Sequence, residues 1–114
     1  MVLNKDTLKS IITGMDKHIF DNMLQVYKDD SKKSLEELHE ALENEEWEDA
    51  RKCAHRFAGA AAVIGLRLLF ETAKEIEEAI IDNRFEDAIF THQVLKPRFE
   101  QSLKVMAEFL KEFP

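Results

Sequence analysis

Cysteine is almost missing from this chain: Cys53 stands alone among 114 residues, which excludes an internal disulfide framework and suits a reducing compartment. Glycine and proline are nearly as scarce, at three and two, so there is little turn chemistry for a β-rich fold. No apolar run approaches the roughly 20 residues of a membrane span, and the N-terminus lacks the apolar segment of a signal peptide. No membrane partner and a cytoplasmic location are therefore expected. Positive charge is in deficit, 16 Lys and Arg against 23 Asp and Glu, and the formal net charge of -7 argues against nucleic acid as a partner. A Gly-x-Gly nucleotide loop and a P-loop are both lacking, which speaks against ATP-dependent autophosphorylation. His39 and Glu43, one helical turn apart, have metal-compatible spacing, but two ligands are too few. Neither a metal nor a cofactor is expected.

What is present reads as helix. Val2 to Ile12 forms a short apolar-faced segment with Asn4 or Asp6 as N-cap, ended at Gly14. Asp16 caps a long helix on which Phe20, Met23, Leu24, Tyr27, Ser31, Ser34, Leu35, Leu38, Ala41 and Leu42 recur at helical spacing. That periodicity fails at Glu43 to Glu46, a stretch short enough only for a tight antiparallel connection. A third helix from about Trp47 to Ile64 points Ala50, Cys53, Ala54, Phe57 and Ala61 inward, and Gly65 fits the left-handed position past its end. A fourth runs to about Asp82, with Leu69, Ala73, Ile76 and Ile80 inward. The last spans about Arg84 to Lys111 through Phe85, Ala88, Ile89, His92, Phe99, Leu103, Met106 and Leu110, and bears Pro97, which predicts a kink. The stretch around Trp47 echoes that around Phe85: each is a turn, then an aromatic, then two acidic residues suited to a helix N-terminus. The expected fold is all-α: one domain over residues 1–114, an antiparallel up-down-up-down four-helix bundle with a short N-terminal capping helix.

One window departs from the rest. From Ala50 to Phe70 there is no Asp or Glu, while Arg51, Lys52, Arg56 and Arg67 are basic. Within it lies His55, and residues three, four and seven positions on share a helix face. Those are Ala58, Gly59 and Ala62, so the ring is expected to stand exposed over a shallow apolar surface. Glycine inside a helix costs about 1 kcal/mol relative to alanine, and close approach by a neighbour or a partner explains Gly59. A neutral imidazole is a nucleophile when its other nitrogen is held as N–H by an acceptor. Glu77 on the neighbouring helix is a candidate for that acceptor. The basic surround of Arg51, Lys52 and Arg56 suits an acidic, phosphate-bearing partner.

The run Ala54-His55-Arg56-Phe57-Ala58-Gly59, then Gly65, Leu66 and Leu69, then Ile76-Glu77, resembles the histidine-containing phosphotransfer (HPt) domain of two-component phosphorelays. The resemblance implies that His55 is the phosphoacceptor, that Gly59 and the small residues after it form a docking surface, and that Glu77 orients the ring. It implies as partners response-regulator receiver domains, those of a hybrid sensor histidine kinase among them, whose phosphoaspartate lies in an acidic Mg²⁺ pocket. On this basis the chain is a monomeric relay and not an enzyme, and its starting methionine and complete bundle favour a free-standing protein. One position departs from the family pattern: Ala58 stands where lysine is usual. Arg51 and Lys52 are expected to take over its phosphate-facing role. That departure also leaves a rival, a degenerate HPt-like bundle that binds receivers without carrying phosphate. The dimerisation region of a histidine kinase is a poorer match, because there an acidic residue and a proline follow the histidine, whereas Arg56-Phe57-Ala58-Gly59 follows here. His18 and His92 have no companion pattern and are read as structural or solvent-facing, and Cys53 as a small core residue.

Overall fold

The computed structural model describes residues 1–113, and among these there are five helices and no strand. They are α1 (Lys5–Thr13), α2 (Lys17–Glu43), α3 (Trp47–Val63), α4 (Arg67–Ile81) and α5 (Phe85–Leu110). Asn4 caps α1 by accepting from the Thr7 N–H, and Asp16 caps α2 by accepting from His18 and Ile19. None of the helices is long and apolar enough to cross a membrane.

Three successive corners are built alike. At each, one residue turns left-handed (Glu45 at φ 56°, Gly65 at φ 80°, Asn83 at φ 59°). The next N–H then reaches back five residues, from Glu46 to the Ala41 carbonyl, Leu66 to Ala61 and Arg84 to Ala79. These are Schellman closures, which satisfy the last carbonyls of each helix before the chain reverses. The echo between Trp47 and Phe85 has a physical basis here: their rings stack at 4.2 Å and 8°, tying the α2–α3 corner to the α4–α5 corner.

The middle corner is covered by the N-terminal segment. The Asn4 N–H donates to the Gly65 carbonyl at 2.7 Å and the Leu68 N–H to the Val2 carbonyl at 3.1 Å, so α1 closes that end of the bundle. A Cβ at Gly65 would sit 3.0 Å from the Asn4 carbonyl oxygen and 3.3 Å from Leu8 Cγ. Gly65→Ala is therefore expected to cost about 1–2 kcal/mol from the positive φ alone, with the contact adding to it. Urea unfolding should show a lower midpoint at an unchanged slope.

The core is a continuous cluster running from Leu8 through Leu38, Phe57, Leu66, Leu69 and Ile76 to Leu95, Phe99 and Met106. On α5 the buried face is Ala88, Leu95, Phe99, Ser102, Met106 and Phe109, and Ile89 of the apolar series read from the sequence is exposed. Strict three- and four-residue steps carry that stripe back to Ala88, one position away from Ile89. Pro97 and Gln93 both lie on the exposed face of α5. The carbonyl that loses its donor at Pro97 thus faces water, and the helix continues through it.

His39 of α2 and His92 of α5 stack at 5.4 Å across the groove between those helices. His39 Nε2 lies 3.0 Å from Glu43. Partial burial, and then the neighbouring His39, push the His92 imidazole below its ordinary range, against the pull of Glu43. Lys32 and Glu36 of α2 and Lys96 and Glu100 of α5 line the same groove. A depressed histidine means that the unfolded chain takes up its proton first as pH falls, so stability rises with pH across that window. Its contribution is complete above the ordinary histidine value of about 6.5 and is lost as pH falls below it. Denaturation midpoints measured between neutral and mildly acidic pH should show this slope, and His92→Gln should flatten it.

Candidate functional site

The site is built on the two helices that pack most closely, α3 and α4. Residues of α3 at four-residue spacing from His55 stay open to solvent, because α2 and α4 cover the other sectors. His55 sits mid-helix with its side chain 65% exposed. Lys52, Arg56, Gly59 and Ala62 share the exposed sector, and Val63 extends it at 73% exposure.

Ala58 does not belong to that surface. It is 3% exposed and part of the core. At 100° per residue, the position three after His55 falls on one side of the ring and the position four after it on the other. Arg56, on the Gly59 side, reaches Glu37 of α2 at 3.5 Å. The Ala58 side therefore faces α4, which closes over it. The shallow apolar surface expected from Ala58, Gly59 and Ala62 consists instead of Gly59, Ala62 and Val63.

Gly59 is not held by packing. A Cβ built there meets nothing within 4 Å among the described residues. Within this chain the glycine leaves space that nothing fills.

The ring of His55 is anchored on one nitrogen. Its Nδ1 lies 2.8 Å from Glu77 Oε2, and Glu77, carried by α4, has only 5% of its side chain exposed. Burial alone would raise the Glu77 carboxyl, but hydrogen bonds from Lys74 and then His55 outweigh it and hold the group below the usual carboxylate range. An ionised carboxylate can only accept, so His55 Nδ1 donates to Glu77, and in the neutral ring that leaves the lone pair on Nε2.

The cations around the ring are engaged unequally. Arg51 is engaged by Glu48 through two hydrogen bonds, 2.6 and 3.0 Å. Arg56 is shared between Glu37 and the Cys53 sulfur, at 3.5 and 3.3 Å. Lys52 makes no ion pair among the described residues and lines the groove between α2 and α3 that borders His55. The cation connected to the ring is Lys74, whose Nζ donates to Glu77 Oε1 at 3.1 Å. Sequence reasoning missed it, although Lys74 and Glu77 are three apart on one helix, a spacing that brings side chains together. Among the described residues no group of His, Cys, Asp and Glu is assembled to hold a metal.

The family model that describes the Hpt domain matches residues 22–108, which takes in most of α2, all of α3 and α4, and nearly all of α5. Among solved structures, the crystal structure of a histidine-containing phosphotransfer protein from maize aligns with a TM-score of 0.78 over 96% of this chain and 86% of that one. The two share 14% sequence identity, so that likeness is one of fold. A search of curated proteins found no match to the sequence.

Proposed function

The chain belongs to the Hpt domain family of two-component phosphorelays, and from that premise we propose that it is a relay intermediary. It accepts a phosphoryl group on His55 from a receiver domain's phosphoaspartate and passes it to another receiver. The observation that carries this proposal is the ring held at Nδ1 by Glu77 at 2.8 Å, with the opposite edge open. In line with the breaking bond, the Nε2 lone pair attacks phosphorus, the new N–P bond forms, and the P–O bond to the aspartate breaks to return a carboxylate. The ring gains positive charge as it donates that pair, and the Glu77 carboxylate lies against the N–H where the charge is felt. Transfer onward reverses these steps on a second receiver. Such chemistry is largely positioning and charge balance, and in it the chain is a carrier and not an enzyme.

The open space at Gly59 supports the same use of this face. A partner's phosphoaspartate must come within bonding distance of Nε2, and a side chain one turn away would stand in its path. Gly59→Gln is expected to fold and to gain a few tenths of a kcal/mol in helix propensity, yet to lose at least about tenfold in transfer, the equivalent of 1.4 kcal/mol of obstructed docking. Thermal unfolding beside single-turnover transfer checks both halves of that expectation.

Two labelled receivers test the proposal itself. The first, charged with phosphate and Mg²⁺, should pass label to the chain, and the isolated phosphorylated chain should pass it to the second. A chain that binds both receivers but takes no label is the degenerate bundle instead.

A further inference from the structure

The transfer as described leaves Lys74 unused, although it is joined to the reacting ring through Glu77. One carboxylate, Glu77, spends its two oxygens separately: Oε2 on His55 Nδ1 at 2.8 Å and Oε1 on Lys74 Nζ at 3.1 Å. The acid is almost wholly enclosed, while the Lys74 side chain is 41% exposed, at the edge of the α3–α4 contact. Two consequences follow from elementary chemistry. A carboxylate bound at one oxygen only can rotate and offer either oxygen at a range of angles, whereas one bound at both is fixed. A buried anion with no cation beside it also draws a second proton onto its imidazole partner, and an imidazolium has no lone pair with which to attack phosphorus. Among the described residues Lys74 is the one cation hydrogen-bonded to Glu77: position 58 carries a buried alanine, Arg51 is held by Glu48 and acts on Glu77 through charge alone, and Lys52 lines the groove on the α2 side.

We propose that Lys74 is a positioning residue for phosphoryl transfer at His55: by occupying Oε1 and balancing its charge, it fixes Glu77 as the acceptor of the Nδ1–H and keeps the ring a neutral Nε2 nucleophile. This rests on His55 being the phosphoacceptor. Lys74 touches neither the phosphoryl group nor the ring, and acts through Glu77. After transfer, its charge also partly offsets the roughly -1.5 to -2 that a phosphoryl group adds.

Lys74→Met and Lys74→Arg test this, each read by phosphoryl uptake from a charged receiver, by receiver affinity and by the nitrogen NMR shifts of the His55 ring. The methionine variant is expected to fold normally and to bind the receiver as the parent does. Its uptake should fall on the order of tenfold, as when the partner orienting a functional histidine is disturbed, and the ring shifts should leave the Nδ1–H pattern. Arginine should restore both. A methionine variant with parental uptake and parental shifts would make Lys74 a surface ion pair and overturn the assignment. Slow uptake with unchanged shifts and weakened binding would make it a docking contact, which overturns it equally. If the parent itself takes no phosphoryl group, the phosphoacceptor reading fails separately, and the ring shifts alone still decide whether Lys74 holds the tautomer.

Discussion

A His55→Gln chain is expected to take up no phosphoryl group, a loss on the order of 10³-fold or more, while its fold and its affinity for a receiver stay within about twofold. The loss is absolute in chemical terms, because the Gln amide nitrogen has no lone pair available to displace a carboxylate from phosphorus. The fold is spared for reasons visible in the site. The imidazole is mostly in solvent and has one strong contact inside the protein, to Glu77. A Gln amide at position 55 can donate to the same carboxylate oxygen, so no buried anion is left without a donor. Lys74 continues to hold the other oxygen at 3.1 Å. Circular dichroism, receiver titration and label uptake on one preparation separate chemistry from structure.

Glu77→Ala is the second large effect, expected at about ten- to a hundredfold in uptake, the range seen when the group that orients a functional histidine is removed. Its consequence for stability should be far smaller. The desolvation cost of a nearly enclosed carboxylate disappears together with its two hydrogen bonds, and such exchanges come close to balancing. Glu77→Gln sharpens the comparison, since a carbonyl oxygen can still accept from Nδ1 but carries no charge. Uptake near the parent's in the Gln variant would assign the role to orientation, and uptake near that of Ala would assign it to charge. The pH dependence has a fixed sign. Because the folded carboxyl lies below its usual range, Glu77 contributes stability above the unfolded carboxylate value of about 4.3, and that contribution is lost as pH falls through the folded value. Neither carboxyl-free variant should retain that part of the acid transition.

Much of this site was legible before any coordinates. His55 and Gly59 stand out because helix periodicity, an acid-free basic window and a costly mid-helix glycine coincide in a few turns, and Glu77 because it falls on the neighbouring helix at the place the HPt resemblance gives the ring-orienting acid. The corners were legible for a similar reason: Gly65, and the paired turns before Trp47 and Phe85, carry their conformation in local chemistry. What failed was the sense of rotation. Periodicity places Ala58 and Gly59 symmetrically about His55, and only the packing of α4 against one side decides that Ala58 is buried and Gly59 is open. The exposed Ile89 follows the same logic one helix further on, where the buried stripe passes through Ala88 and Leu95. Lys74 was invisible for a different reason. Its spacing from Glu77 was readable, but that Glu77 turns one oxygen to it and the other to His55 across the helix pair was not.

The most direct measurement is the site of attachment. Chain labelled with nitrogen isotope is incubated with a receiver charged with phosphate and Mg²⁺, then read by coupled phosphorus and nitrogen NMR. A phosphoramidate resonance coupled to Nε2 of His55, stable in base and lost in acid, is the predicted result. Phosphate that stays on the receiver, or that appears on any other atom of the chain, would contradict it.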